Sequence, residues 1–282
     1  MSDEKSLKYN EPWILQRADP YVYRHTDGSY YFTASVPAYD GIVLRRAGTL
    51  AELSGAEEVM VWKKHESGPM SYHIWAPEIH YLFGKWYIYF AGGEAEDIWK
   101  IRPYVLECSG DDPLTDEWVE LGKMKRAAED KFSFEAFSLD ATVFENKGEY
   151  YYVWAEKVGV GKMISNLYIA KMESGNQLKT VQILLTTPDY DWERKGFWVN
   201  EGPAVIHHDG KLFLTYSASE TGVDYCVGML SIDEDADILD PRLWKKERYP
   251  VLKTCEKLGI YGPGHNSFTV DEDGNDVMVL SL

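Results

Sequence analysis

Four carboxylates and a histidine recur at similar points of the sequence, about 60 residues apart: Asp19, Glu78, Asp140, Glu201 and His265. Taken singly, these residues suit turn and strand-cap positions, as Asp19 does before a proline. Their recurrence at corresponding points of a repeat favours a shared site instead. Crowded carboxyl groups raise one another's pKa, so one is protonated while another is ionised. That division is what general acid–base catalysis requires.

The elements that position these residues are five similar hairpins. One of them, SLDATVFENKGEYYYVWAE from Ser138 to Glu156, places β-branched and aromatic residues on both sides of a glycine-containing turn. This pattern predicts a β-hairpin. The turn glycines of the five hairpins are Gly28, Gly84, Gly148, Gly210 and Gly274.

A second β pair follows the hairpin in most repeats, which gives four strands per repeat. Radially repeated four-stranded sheets form a propeller whose first strands line a central channel. We therefore predict an all-β fold, a five-bladed β-propeller over residues 13–282, preceded by an N-terminal tail over residues 1–12. A β-sandwich, the alternative, does not explain the equal repeats. The last repeat ends early, at Ser281 and Leu282, so the fifth blade is expected to be incomplete.

Composition restricts the possible partners and the compartment. The net charge of −17 repels phosphate groups, which argues against nucleic-acid and membrane partners and leaves a neutral small ligand. Three widely spaced cysteines, Cys108, Cys226 and Cys255, suggest free thiols in a reducing compartment. The first residues, MSDEKSLKYNEPW, contain no apolar leader segment. These features predict a cytoplasmic protein, and they leave the oligomeric state open.

Five motifs together resemble glycoside hydrolase family 43, the five-bladed propeller hydrolases that act on arabinan and xylan. They are ADPYV around Asp19, WAPE ending at Glu78, SLDATVF around Asp140, NEGPAV around Glu201 and GPGHNSF around His265. The resemblance extends from about Trp13 to the end of the chain.

The resemblance implies a role for each residue. Asp19 would be the general base that activates water, Glu201 the general acid, and Asp140 the group that orients Glu201 and modulates its pKa. An inverting glycosidase needs two such carboxyls, roughly 6.5–9.5 Å apart, with a water between them. His265 resembles an axial histidine that holds one calcium ion with waters; a histidine satisfied by its protein neighbours is the alternative. No organic cofactor is implied.

Four residues are candidates for contacting the sugar. Trp75 is placed to stack on a pentose ring, and His73 and Glu78 are placed to bond its hydroxyls. Phe32 is a candidate for the pocket wall, with core packing as its alternative. The family usually continues through a His-Ala-Arg segment after the last motif, and its substrate-binding arginine has no counterpart before Leu282.

The predicted function is an inverting exo-glycosidase that releases terminal α-L-arabinofuranosyl units from arabino- or arabinoxylo-oligosaccharides. An exo-β-xylosidase of the same family is a close alternative. A retaining fructan hydrolase would require motifs that Ala18, Asp19 and Pro20 do not match. A non-catalytic propeller that binds pentose oligomers is the remaining hypothesis.

Overall fold

β-Strands dominate the computed structural model, which describes residues 12–160 and 162–281, with short 3₁₀ helices at Ala51–Ser54, Asp191–Glu193 and Glu256–Leu258. In chain order the strands are β1 (Ala18–Arg24), β2 (Tyr30–Ser35), β3 (Gly41–Ala47), β4 (Val59–Lys63), β5 (Tyr72–Leu82), β6 (Lys85–Glu94), β7 (Asp97–Cys108), β8 (Val119–Lys123), β9 (Ser138–Asn146), β10 (Glu149–Val160), β11 (Lys162–Ser174), β12 (Gln177–Leu178), β13 (Ile183–Thr186), β14 (Trp198–His208), β15 (Lys211–Ala218), β16 (Cys226–Asp233), β17 (Lys245–Lys246), β18 (Gly264–Val270) and β19 (Asp276–Ser281). The predicted tail, residues 1–12, lies almost entirely outside the described residues.

The strands form five antiparallel groups arranged around an axis. Blade 1 is β1–β4, blade 2 is β5–β8, blade 3 is β9–β13, blade 4 is β14–β17 and blade 5 is β18–β19. Blades 3 and 4 are joined by a short parallel pairing of β11 with β14. The innermost strands β1, β5, β9, β14 and β18 each contact the next, and β18 contacts β1. The ring is thus closed, and the predicted five-bladed propeller is confirmed. In the described part of the chain the fifth blade has two strands, as expected.

Apolar layers fill the spaces between neighbouring blades. Trp86 contributes to the layer between blades 1 and 2, and Trp154 to the layer between blades 2 and 3. Both side chains are fully buried. Each buried large apolar side chain contributes about 1.5–3 kcal/mol, so these layers hold the inner strands in place. No described residue belongs to a helix long and apolar enough to cross a membrane.

The hairpin turns have the predicted geometry. Gly148 has φ 78° and the preceding Lys147 has φ 54°, so both central residues of this turn are left-handed. This is the pattern of the tight hairpin turn that matches the twist of paired strands. The other four predicted turn glycines also have positive φ.

Each innermost strand carries a pairing irregularity, and a left-handed residue lies inside it. These residues are Asp19 (φ 55°), Ala76 (46°), Asp140 (51°), Gly202 (52°) and His265 (42°). Four of them bear a Cβ, for which this conformation is costly. Bulges of this kind redirect a side chain and are frequent beside active sites. We refer to these five residues as the bulge residues.

The bulges change the predicted alignment of the repeats. Asp19, Asp140 and His265 do occupy equivalent positions. Glu201 precedes the bulge residue of its strand by one position, and Glu78 follows that of its strand by two. The prediction that all five residues occupy one repeat position is therefore wrong for both glutamates. Register places Glu201 level with Trp75, since each is the last residue paired before its bulge.

Candidate active site

A cavity of about 920 Å³ opens at one end of the propeller axis. Every blade contributes at least one side chain to its wall, from the bulge residue or the position before it: Asp19, Trp75, Asp140, Glu201 and His265. The three carboxylates predicted to be catalytic and the predicted axial histidine thus lie together in one cavity. Their sequence separation exceeds 240 residues, and only ring closure brings them together.

Asp19 is held by three neighbours. Its Oδ2 accepts a hydrogen bond of 2.5 Å from the Ser35 hydroxyl, and its Oδ1 lies 3.1 Å from Nδ1 of His265. Its backbone N–H donates to Oγ of Ser281 at 3.0 Å. The carboxylate is partly exposed, with 23 % of the side chain accessible, so water reaches it. An oriented, hydrated carboxylate suits a general base.

Asp140 lies deeper than Asp19. Its side chain is 8 % exposed, its Oδ2 accepts from the backbone N–H of Gly202 at 3.2 Å, and the same atom lies 3.7 Å from Nδ1 of His265. Burial and then the charge of Asp19 raise the pKa of Asp140 well above its usual range. A proton therefore stays on Asp140 to higher pH than on an ordinary aspartate.

Glu201 is a carboxyl of the cavity that can both hold and release a proton near neutral pH. Burial, and secondly the charge of Asp140, raise its pKa to about 7. The Tyr225 hydroxyl donates to its Oε1 at 2.8 Å, which lowers the pKa and fixes the carboxyl group. The predicted effect of Asp140 has the correct sign, but burial is the larger cause.

Serine hydroxyls tie the second strand of one blade to the bulge of the next. Oγ of Ser35 accepts from the N–H of Ala76 at 2.8 Å, and Oγ of Ser217 accepts from that of His265 at 2.6 Å. The bond from Asp19 to Ser281 is the third of these links. All three serines pair with the last residue before their own blade's bulge. These serines were not among the predicted site residues, although the repeat alignment places them at one position.

His265 does not supply a protein cage for calcium. Its Nδ1 faces the carboxylates of Asp19 and Asp140. Among the described residues, no three His, Cys, Asp or Glu side chains are grouped as metal ligands. Calcium takes six to eight oxygen ligands, so the residues present do not fit a protein-ligated ion. An axial calcium held mainly by waters stays a prediction, and no catalytic step is assigned to it.

Of the four predicted sugar contacts, Trp75 lines the cavity and His73 does not. The His73 ring is stacked between Trp75 and Trp99, with ring centroids 4.2 and 5.2 Å away and interplanar angles of 33° and 35°. Its position supports Trp75 from behind, so the structure assigns His73 to holding the cavity wall and not to bonding sugar hydroxyls.

Phe32 and Glu78 also lie away from the cavity, which makes the predicted contacts with sugar wrong. Phe32 is 1 % exposed in the core of blade 1, because both faces of the second strand of a blade are covered. Glu78 is buried on the axis and bonds Nε2 of His80 at 2.9 Å. Burial raises the pKa of Glu78 to about 8 and lowers that of His80 to about 3, so the pair is neutral at pH 7.

The neutral pair predicts how Glu78→Gln changes stability. Because the pKa of Glu78 rises from 4.5 to about 8 on folding, the folded state binds its proton more tightly. The wild-type fold therefore loses free energy of unfolding as pH rises between these values, by about 1 kcal/mol per pH unit. Glutamine mimics the protonated acid and does not titrate. The melting temperature of Glu78→Gln relative to wild type should rise from pH 5 to 8 and then level off.

The control for this experiment is Glu173→Gln, at an exposed glutamate of β11, whose difference from wild type should not vary with pH. A Glu78→Gln variant that is destabilised by a constant amount at every pH would indicate a charged pair with His80 and contradict the neutral one.

Other cavity residues were not among the predicted contacts. Tyr225, Lys157, Phe197 and Tyr261 line the cavity, and Phe197 and Tyr261 are 65 % and 54 % exposed. They lie in loops or late in strands, outside the five motifs. No repeat pattern marks them, so their position follows only from the three-dimensional structure.

Comparisons with known proteins agree with this geometry. A family model described as "Glycosyl hydrolases family 43" matches residues 9–281. An extracellular exo-α-(1→5)-L-arabinofuranosidase of Streptomyces avermitilis is 50 % identical over 97 % of this chain, which covers 56 % of that protein. The enzyme of the same name from Streptomyces chartreusis is 48 % identical over 96 % of this chain, with 81 % of that protein covered. The chain thus spans little more than half the length of the first relative.

A solved structure is similar over the same region. The crystal structure of an α-L-arabinofuranosidase from Lactobacillus brevis matches with a TM-score of 0.88 and 50 % identity. The match covers 96 % of this chain and 85 % of that one.

The predicted cytoplasmic location is wrong, because both Streptomyces relatives are named as extracellular enzymes. The cysteines do not identify the compartment, for a physical reason. All three thiols are free, but Cys108 and Cys226 are buried in the core. Buried thiols are shielded from oxidants, so free cysteines do not reveal the redox state of the compartment.

Proposed function

The chain belongs to glycosyl hydrolase family 43, and on that premise we propose that it is an exo-acting α-L-arabinofuranosidase that inverts configuration. The observation that carries the proposal is the convergence of Asp19, Asp140 and Glu201 in one cavity, with a pKa of about 7 for Glu201. The names of the Streptomyces and Lactobacillus relatives support the choice of sugar. They also support an extracellular location.

In the proposed reaction two carboxyls act on opposite sides of the glycosidic bond. Asp19 removes a proton from a water molecule as the water oxygen attacks the anomeric carbon. The bond from that carbon to the leaving oxygen breaks, and Glu201 gives its proton to this oxygen. Water and glycoside become one free pentose and one shortened alcohol, and Asp19 ends protonated while Glu201 ends ionised.

The remaining polar groups prepare these two carboxyls. Ser35 and His265 orient Asp19, and the Tyr225 hydroxyl fixes Glu201. The charge of an ionised Asp140 raises the pKa of Glu201, which favours the protonated acid before reaction. Because Glu201 must be protonated, activity should fall as pH rises through about 7.

A panel of substrates tests the proposed function. We expect kcat/KM on 4-nitrophenyl α-L-arabinofuranoside to exceed that on 4-nitrophenyl β-D-xylopyranoside by about tenfold or more, since a site fitted to one pentose misplaces the other. Linear α-1,5-linked arabino-oligosaccharides should release only monomer at early times. Preference for the xyloside would favour the xylosidase alternative, and binding without turnover would favour the non-catalytic one.

A further inference from the structure

A single lysine side chain brings positive charge into the cavity. Lys157, on β10 of blade 3, lines the wall together with Phe137, Ser165 and Glu201. Among the residues that the structure describes, no other lysine or arginine lines this cavity. The chain has 46 acidic and 29 basic residues, so carboxylates that could pair with Lys157 are plentiful.

The ammonium group of Lys157 rests on a fixed aromatic ring. Its Nζ lies 3.8 Å from the ring centroid of Phe137, a distance at which a cation is attracted to the ring face. The Lys157 backbone N–H donates to the carbonyl of Phe137 at 2.9 Å. The buried carboxylate of Glu156 accepts from the N–H groups of Phe134 and Ala136 at 3.0 and 3.1 Å. These hydrogen bonds to Glu156 and from Lys157 therefore hold residues 134–137, the loop that supports the ammonium, in place.

Lys157 keeps its hydrogen-bonding capacity for a ligand. Within the described ranges, no carboxylate oxygen lies within ion-pair distance of its Nζ, and no protein acceptor bonds it. Burial lowers the pKa of Lys157, and the charge of Glu201 raises it. Glu201 is thus near enough to interact electrostatically without forming a contact. An ammonium carries three donors, and here they remain available in the cavity that Glu201 also lines.

We propose that Lys157 binds hydroxyl oxygens of the sugar on the leaving-group side of the scissile bond, and so selects sugar leaving groups over aryl ones. This inference rests on the proposed function. The proton of Glu201 goes to the oxygen that joins the departing group to the pentose, so a donor that lines the same cavity and interacts with Glu201 is placed to bind the departing sugar. A nitrophenyl group offers it no hydroxyl.

The test compares Lys157→Met with Lys171→Met. Lys171 belongs to the same blade and also lies over an aromatic ring, that of Tyr151, but outside the cavity. Methionine keeps the aliphatic stem and removes the charge and the donors. With α-1,5-linked arabinotriose, we expect kcat/KM of Lys157→Met to fall about 10- to 100-fold, the loss typical of a charged hydrogen bond. With 4-nitrophenyl α-L-arabinofuranoside the fall should be about threefold or less, and Lys171→Met should match wild type on both.

The pH profile separates this role from a merely structural one. Because the charge of Glu201 raises the pKa of Lys157, the cation in turn favours the Glu201 carboxylate, and its removal should move the basic limb of kcat/KM upward by a small amount. Lys157→Arg keeps the charge and should keep the limb in place. Glu201 stays protonated in Lys157→Met, so the loss of kcat/KM on arabinotriose in this variant does not arise from a missing proton on the acid.

Each outcome is decisive. If Lys157→Met loses the same factor in kcat/KM on both substrates, or keeps the wild-type kcat/KM on arabinotriose, the inference is wrong. Turnover by the wild-type enzyme in the same experiment would still support the proposed function. Absence of wild-type turnover on both substrates refutes the proposed function and the inference with it. If Lys157→Met does not fold, Phe137→Leu can replace it, because it removes the ring beneath the ammonium. We expect this variant to lose less kcat/KM than Lys157→Met, and again more on arabinotriose than on the aryl substrate. Equal losses of kcat/KM on the two substrates would also overturn the inference.

Discussion

Replacing Asp19 by asparagine should lower kcat by about a thousandfold or more on every substrate, aryl or sugar, because general-base catalysis contributes effects of this size. Asparagine keeps the shape of the side chain and an acceptor for Ser35, so the cavity should persist. An amide does not accept the proton of the attacking water, and no leaving group compensates for that loss. Steady-state kinetics on 4-nitrophenyl α-L-arabinofuranoside and arabinotriose measure the effect.

The Asp19 assignment has two controls. Asp27→Asn, at an exposed turn of the same blade, should leave kcat unchanged. Asp19→Ala leaves room for azide, an anion that attacks without a general base, so azide should restore part of the turnover of the aryl substrate as a glycosyl azide of inverted configuration. An Asp19→Asn variant that retains a tenth or more of wild-type kcat would show that another group activates the water.

Replacing Glu201 by alanine should affect substrates according to their leaving group. We expect kcat/KM on arabinotriose to fall by about 10² to 10⁴, the range attributed to general-acid catalysis. Nitrophenolate departs without a proton, so the loss of kcat/KM on the aryl substrate should be smaller by at least about tenfold. The basic limb assigned to the pKa of Glu201 should also disappear from the pH profile.

Glu234→Ala is the matched control for Glu201. Glu234 is a half-buried glutamate of the same blade that pairs with His207 away from the cavity. Glu234→Ala should keep the wild-type ratio of kcat/KM on arabinotriose to kcat/KM on the aryl substrate. Equal losses of Glu201→Ala on the aryl and sugar substrates would remove Glu201 from the acid role.

The sequence was sufficient to predict the five blades because their signals are local. Alternating apolar residues and a turn glycine define each hairpin, and positive φ at Gly148 and its four counterparts agrees with that interpretation. Asp19, Asp140 and His265 could be aligned because each is the bulge residue of its own strand. Convergence of their side chains then follows from ring closure alone.

The register of the two glutamates was mispredicted because Glu78 and Glu201 were aligned with each other. In Trp75-Ala76-Pro77-Glu78 the proline precedes the glutamate, whereas in Glu201-Gly202-Pro203 it follows, and aligning Pro77 with Pro203 places Glu201 level with Trp75. The strand pairing has this second register, which sends Glu78 to the buried axis. A shift of a few positions thus separates a cavity acid from a structural one.

Two contacts of Asp19 and Glu201 could not be predicted from the sequence: one lies within blade 4 and one joins blades 5 and 1. Tyr225 reaches Glu201 from a loop, and Ser281 bonds the backbone of Asp19 across the closure of the ring. Such contacts join residues up to 262 positions apart, and Tyr225 lies outside the five motifs. Phe32 shows the converse: an aromatic residue close in sequence to Asp19 that serves only the core.

The stereochemistry of hydrolysis tests the central claim, that Asp19 and Glu201 act as separate base and acid across one cavity. Proton NMR of the first product formed from an α-L-arabinofuranoside, recorded before the free sugar mutarotates, distinguishes the two possible outcomes. Direct attack by a water activated by Asp19 predicts β-L-arabinofuranose as the first product. Initial release of the α anomer would require a covalent intermediate and would contradict the assignment of these carboxyls.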